Sequence, residues 1–362
     1  MREEPVESNN TAVRDCELFA ARLRKSLRID LRYSVFQVSF SKSHLNIFTD
    51  SVNNAVRISQ FYRKIFHDVR RLKNPGIRIK VVLLPDRTVG KLSKGICHVG
   101  VAPVRSSPES SSEQVTQVLY GETFDTLQNA RGWTRTRLHA DGYIGWVSFD
   151  QVTLFTEKNF DSYQSLSGVF VLERALPIFG RASLQSHPIR EAVFGCEIKV
   201  VGDDGAFLKV RLPDGATGYV ERNRVSFSFP VKEFSFRTLL GITRSFQGVS
   251  YMWGGRSTKA FDCSGFVQTV FRLCGVELPR DTRDQFSTGK FIGKNFGKMR
   301  TGDLLFFSSK GDKINHVAIF LGRNKEFVHS SGFVKISSLD PRRKNFSERL
   351  STEFLGACRV VS

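Results

Sequence analysis

The chain has 362 residues and a formal net charge of +19, with 40% hydrophobic and 25% charged residues. That length exceeds what one hydrophobic core accommodates, so two to four domains are expected, and the balance of residue types excludes a disordered or fibrous protein. The longest apolar runs, such as 81–85 and 317–321, are strand-sized and exclude a span of the ~20 residues a membrane requires.

Residues 1–94 form the first expected domain, small, basic and α+β. Apolar residues recur at helical spacing in Arg14 to Leu31 (Phe19, Leu23, Leu27) and in Val56 to Leu72 (Phe61, Ile65, Val69), while Val35 to Leu45 reads as a strand. Up to residue 95 there are 19 Lys and Arg against 9 Asp and Glu. A solvated basic face and a docking surface both account for this, and charge alone does not choose between nucleic acid, an anionic membrane surface and an anionic substrate. Met1-Arg2-Glu3-Glu4-Pro5 leads into polar residues with no signal-peptide core, so secretion by a standard signal is not expected.

The middle of the chain repeats itself. Ala102-Pro103-Val104 aligns with Leu176-Pro177-Ile178, and Tyr120-Gly121 with Phe194-Gly195, at an offset of 74. Further on, Arg137-Leu138 aligns with Arg211-Leu212, and then the offset falls to 73: Asp141-Gly142 and Gly145-Trp146-Val147 meet Asp214-Gly215 and Gly218-Tyr219-Val220. Each copy consists of short runs alternating apolar and polar, such as 117–119 and 198–201, punctuated by Gly and Asp-Gly turns. The pattern predicts two small antiparallel barrels, at 95–157 and 163–228.

From 233 to 362 helices are followed by strands. Phe236 to Phe246 has helical spacing and stops at Gly248, and a second apolar helix opens at Asp262-Cys263-Ser264-Gly265-Phe266 and runs through Leu273 to Gly275. A cysteine in the first turn of a helix sits against the positive end of the macrodipole, which favours the thiolate, and beside free backbone N–H groups able to receive an oxyanion. Downstream, Thr301-Gly302-Asp303 is a turn entering a strand, and His316 opens the strand that runs to Gly322. A second histidine, His329, follows in 327–332. One imidazole suits the base that a cysteine nucleophile needs and the other suits the group that orients it. The remaining histidines, His44, His67, His98, His139 and His187, have no such context.

The six cysteines, Cys16, Cys97, Cys196, Cys263, Cys274 and Cys358, show no C-x-x-C spacing, so neither zinc nor a disulfide framework is expected. On one helix Cys263 and Cys274 would stand about 16 Å apart, beyond disulfide reach. A reducing compartment fits this usage.

Tyr-x-Trp-Gly-Gly at 251–255, Asp-Cys-Ser-Gly-Phe at 262–266, Pro-Arg-Asp-Thr at 279–282, Gly-Asp-Leu at 302–304, His-Val-Ala-Ile at 316–319 and His-Ser-Ser-Gly at 329–332 together resemble the papain-like NlpC/p60 cysteine peptidases. The repeated units resemble bacterial SH3-like domains, the first copy more closely. The resemblance implies an α+β multidomain protein: a papain-like catalytic domain preceded by two all-β SH3-like barrels and the small N-terminal α+β domain. It implies Cys263 as nucleophile, His316 as base, His329 as the orienting residue and Tyr251 at the oxyanion site, with Trp253 and Ser264 among the substrate-binding residues.

Both modules together resemble the γ-D-glutamyl-L-diamino acid endopeptidases of cell-wall recycling, the dipeptidyl-peptidase VI type. These cleave L-Ala-γ-D-Glu-diaminopimelate after the D-Glu and require a free L-Ala amine. By this resemblance Asp281 belongs to the ammonium pocket and Tyr143 and Glu113 to its lid, while Thr282 stands where many relatives have Ser. The expected activity is muropeptide hydrolysis in the cytoplasm with no metal or organic cofactor, no nucleic-acid partner and no membrane insertion. The oligomeric state is left open. The alternatives are a wall-anchored endopeptidase of intact peptidoglycan and a non-catalytic binding protein with a vestigial cysteine site.

Overall fold

A computed structural model describes residues 20–41, 44–69, 78–228, 234–309, 311 and 313–361. Cys16, the first part of the helix expected from Arg14 and the end of the one expected to reach Leu72 lie outside these, as do the side chains of Phe19, Phe61, Ile65 and Val69. A helix covers residues 20–27, and Leu23 and Leu27 pack on Phe36, Ile47 and Ile58. The stretch expected as one strand is the facing part of two. Phe36–Ser41 runs antiparallel to His44–Thr49 because the polar Ser-Lys-Ser at 41–43 breaks the apolar alternation. The helix Val52–Val69 then carries the chain to Arg78–Leu83, which pairs parallel to His44–Thr49.

The next fourteen strands form two sheets of seven. The first comprises Lys94–Cys97, Val101–Arg105, Gln114–Leu119, Thr123–Ala130, Trp133–Leu138, Ile144–Ser148 and Val152–Phe155. The second comprises Gly168–Val171, Ala175–Phe179, Pro188–Val193, Glu197–Asp204, Phe207–Arg211, Thr217–Glu221 and Val225–Ser226. Counted in chain order, the strands of both lie in the spatial order 7-1-4-5-6-2-3. Even the register shifts coincide: those at Val104/Arg105 and Thr126/Gln128 recur at Ile178/Phe179 and Val200/Gly202, at the offset of 74 read from the sequence. The shifts bend each ladder where the sheet must curl. Leu119 and Tyr120 of the first unit enter the core of the second beside Val169, Ile198 and Val220, so the two units share apolar surface.

The C-terminal part is built on a six-stranded antiparallel sheet, in the order Lys290–Gly293, Phe354–Arg359, Leu304–Phe307, His316–Phe320, Glu326–Ser331, Phe333–Ser338. The helices Phe236–Ser245 and Cys263–Leu273 cover one face through Leu304, Phe306, Val317, Ile319 and Val328. Leu305, Phe307, Ala318, Phe320 and Phe327 of the other face pack on Met299, Leu350 and Phe354. Burial on both faces explains why Leu304–Phe307 and Val317–Phe320 are continuously apolar rather than alternating. It also accounts for part of the large phenylalanine count, since Phe261, Phe266, Phe271, Phe306, Phe307 and Phe327 are all fully buried here.

Polar staples fix the first barrel against its neighbours. Arg256 is 1% exposed and donates from Nη1 to Glu122 Oε2 at 2.7 Å and from Nη2 to Glu122 Oε1 at 3.0 Å, while its backbone N–H donates to Gln117 Oε1 at 3.0 Å. On the opposite side, Val35 and Leu84 of the N-terminal unit pack on Leu127 and Ile144. A tight backbone approach lies between the barrels, where Gly121 has φ +76° and an added Cβ would lie 2.5 Å from the Glu197 carbonyl oxygen. Neither the left-handed backbone nor the contact tolerates a side chain. Gly121→Ala is therefore expected to lose about 1–3 kcal/mol of stability, read as a lower unfolding temperature by circular dichroism; an unchanged transition would refute the close approach.

Candidate active site

The Cys263–Leu273 helix begins at the cysteine because Asp262 caps it. Asp262 Oδ1 accepts the Gly265 N–H at 2.6 Å, and Oδ2 accepts the Gly254 N–H at 2.9 Å, which ties the helix end to the Tyr251–Gly255 loop. That loop lies against the first barrel. Gly254, at φ +76°, would place a Cβ 2.7 Å from the Gln114 carbonyl oxygen, so only glycine fits there. Arg280 completes the corner: fully buried, it ion-pairs with Asp262 and donates to Ser264 Oγ at 3.0 Å and, across the domain boundary, to Thr116 Oγ1 at 2.9 Å.

Cys263 is 8% exposed, and its Sγ lies 3.8 Å from Thr282 Oγ1. Burial pushes the thiol up to about 11, with the Asp262 charge adding to the shift and the Thr282 contact reducing it. The helix end alone favours the thiolate, but desolvation outweighs it, and the resting sulfur is protonated. His316 opens its strand, and its Nε2 lies 2.8 Å from His329 Nδ1. His329 Nε2 in turn lies 3.0 Å from Ser337 Oγ, on the neighbouring strand. Burial holds His316 down to about 4 and His329 to about 2, the nearby Arg349 and Lys335 contributing to the first and His316 to the second. Both rings are neutral at pH 7.

For His316 Nδ1 to accept a proton, its Nε2 must carry one and donate it to His329 Nδ1; His329 is then protonated on Nε2 and donates to Ser337 Oγ. The chain of contacts can stabilise an imidazolium on His316 without a carboxylate. A neutral thiol with a neutral base, beside the free N–H groups of a helix end, is an arrangement able to carry acyl transfer. Tyr251 stands at this end 37% exposed, its phenol raised to about 12 by burial and then by the Cys263 charge.

The substrate residues expected from the sequence divide. Asp281 occupies the position before the Thr282–Thr288 helix, and Tyr143 Oη donates to its Oδ2 at 3.4 Å. Glu113 does not join that pair; its Oε1 accepts the Trp253 Nε1–H at 2.9 Å, which steadies an indole that is 62% exposed. Ser264 turns its hydroxyl to Asp262 and Arg280 rather than to the cleft. Ser337, Arg280 and the N-terminal Arg32 were not expected. Arg280 lay within a motif but its partner was invisible, and the other two carry no signal in the sequence.

A capped cysteine helix packed on an antiparallel sheet with a histidine pair defines a catalytic domain of the papain-like thiol class. Comparison with known proteins bears this out: the NlpC/P60 family model matches residues 248–352, and the model of the bacterial dipeptidyl-peptidase SH3 domain matches 104–152. A probable endopeptidase NlpC homolog of Haemophilus influenzae is 36% identical over 132 residues, 36% of this chain and 67% of that protein. The γ-D-glutamyl-L-lysine dipeptidyl-peptidase of Bacillus cereus is 26% identical over 230 residues, 59% of this chain. The match spans 66% of that relative's own length. A solved NlpC/P60 family structure from Bacillus cereus, at 21% identity, shares the fold with a TM-score of 0.62, over 75% of this chain and 100% of that one. The chain belongs to the NlpC/P60 family.

The neutral histidines have a consequence for stability. Their folded-state pKa values lie below the unfolded value near 6.5, so the stabilisation is complete above pH 6.5 and is lost as pH falls towards 4, where only the unfolded chain takes up protons. His329→Gln is expected to flatten that acid loss by on the order of 2 kcal/mol. The check is melting temperature against pH from 7 to 4; parallel curves for wild type and variant would contradict the burial of a neutral pair.

Proposed function

We propose that this chain is a cysteine peptidase that hydrolyses the bond between γ-D-Glu and the diamino acid, diaminopimelate, in peptidoglycan-derived peptides bearing a free N-terminal L-Ala. His316 Nδ1 takes the Cys263 proton as Sγ attacks the γ-carbonyl carbon of D-Glu. The oxyanion is received by N–H groups at the helix start, with Tyr251 beside them. Collapse expels the diamino acid, whose amine takes the proton from His316, and leaves a thioester; water, deprotonated by the same imidazole, then releases L-Ala-D-Glu and restores the thiol.

The observation that carries the reading is a carboxylate on the residue next to the one that contacts the reacting sulfur. Thr282 Oγ1 is 3.8 Å from Cys263 Sγ, and the preceding residue, Asp281, has its Oδ2 engaged by Tyr143 and Arg32 while Oδ1 has no partner among the described residues. In this reading the two-residue acyl donor lies between thiol and carboxylate, with its ammonium on Oδ1. The name of the Bacillus cereus relative, a γ-D-glutamyl-L-lysine dipeptidyl-peptidase, supports a γ-D-glutamyl bond to a diamino acid, which in that protein is lysine. Recycling inside the cell is part of the proposal. In its favour, the five described cysteines, Cys97, Cys196, Cys263, Cys274 and Cys358, are all free thiols.

The test is incubation with L-Ala-γ-D-Glu-diaminopimelate and its N-acetylated counterpart, with products followed by mass. The free amine is expected to react faster by about one to two powers of ten, the worth of a charged hydrogen bond, and Cys263→Ala should abolish both reactions without unfolding the protein. Equal rates on the acetylated peptide, or on whole sacculi, would favour the wall-anchored endopeptidase instead.

A further inference from the structure

The N-terminal unit lies outside the residues matched by either family model, yet its Arg32 reaches the catalytic domain at Asp281 and Asp284. Arg32 sits 29% exposed at the junction of three parts of the molecule. Its carbonyl accepts the Ile144 N–H of the first barrel at 2.7 Å, which fixes its backbone. Its guanidinium crosses to the catalytic domain, where Nη1 donates to Asp281 Oδ2 at 2.7 Å and to Asp284 Oδ2 at 2.6 Å, and Nη2 to Asp284 Oδ1 at 3.2 Å. Nε and Nη2 also hold Asp30, at 3.0 and 2.6 Å. All five N–H donors of the fork are used, which a lysine could not reproduce. Tyr33 seals the outside: its hydroxyl donates to Asp284 Oδ2 at 3.1 Å, and its ring meets that of Tyr143 edge to face at 5.7 Å.

The position is informative because it adjoins Asp281. The Cys263 sulfur contacts Thr282, the residue before Thr282 in the chain is Asp281, and Asp281 Oδ2 is held by Arg32 at 2.7 Å. A group attached to the amine of a substrate held on Asp281 would therefore lie beside the Arg32 side chain. Three carboxylates, Asp30, Asp281 and Asp284, face this one guanidinium, with Arg283 near Asp30, so the pocket keeps its negative charge and remains attractive to an ammonium.

We propose that Arg32 is a specificity-determining residue that closes the amine end of the cleft, so that the N-terminal unit, together with the first barrel, restricts the enzyme to peptides with an unsubstituted N-terminus. The inference rests on the reading of Asp281 as the ammonium acceptor. It differs from a purely structural ion-pair cluster in what it predicts for bulky substrates.

The experiment compares kcat/KM of wild type, Arg32→Ala, Arg32→Lys and Arg283→Ala on the free and N-acetylated tripeptides. Arg32→Ala is expected to raise the value on the acetylated peptide by about tenfold, mainly through KM, while the free peptide loses no more than that factor, the worth of one charged contact. Arg32→Lys, still long and cationic, should restore much of the discrimination, and Arg283→Ala should leave it unchanged. If Arg32→Ala lowers both substrates equally, or Arg283→Ala shifts the ratio as far, Arg32 is only an interdomain staple or a bulk charge and the proposal fails. If wild type itself shows no preference for the free amine, the reading of Asp281 fails and takes Arg32 with it; the two failures are distinguished by the wild-type ratio.

Discussion

The buried pair of Asp262 and Arg280 is the interaction on which the rest of the site depends. A carboxylate beside a cysteine opposes thiolate formation, and here it contributes to the raised Cys263 pKa. Yet the same carboxylate caps the helix, receives the loop at Gly254 and anchors Arg280. Two charges removed from water are tolerated only when their hydrogen bonds are made. Here they are: Arg280 donates to Asp262, Ser264 and Thr116, and its positive charge draws the neighbouring thiol back down. The residue that opens the helix is therefore linked by two contacts to a strand of the first barrel.

The barrels consequently do more than flank the catalytic domain. The first presents Thr116 and Gln117 to buried arginines, Gln114 and Glu113 to Trp253, and Tyr143 to Asp281. The N-terminal unit adds one more side chain, Arg32, which meets Asp281 beside Tyr143. Asp281 is thus contacted from two segments distant in sequence, whereas Cys263, His316 and His329 come from one domain.

How much of this could be read from the sequence follows from that division. The cysteine helix and the two histidine strands were legible, because helix starts and apolar strands leave local patterns and the motifs recur in a known order. The repeat was legible because its turns recur as Gly and Asp-Gly at a fixed offset, whereas the bulges at Val104/Arg105 and Thr126/Gln128 carry no glycine or proline and left no such mark. Ser337 was not, because its role depends on a diagonal relation between paired strands that a single sequence does not reveal. Arg32 was hidden for a different reason: it lies in a basic segment where one arginine among many has no distinguishing context, and its partners are some 250 positions away. The helix-end argument for a thiolate was physically sound but incomplete, since burial of the sulfur could not be judged before the barrel and the sheet were in place.

The central claim is that Cys263 becomes acylated by the L-Ala-D-Glu half of a free-amine peptide. The most direct measurement is rapid mixing with L-Ala-γ-D-Glu-diaminopimelate, acid quench within the first turnover, and intact and peptide-level mass spectrometry. The account predicts an adduct of one L-Ala-D-Glu acyl group on the peptide containing Cys263, absent in Cys263→Ala and depleted in His316→Ala. Turnover with no covalent adduct, or an adduct on another of the cysteines, would contradict it.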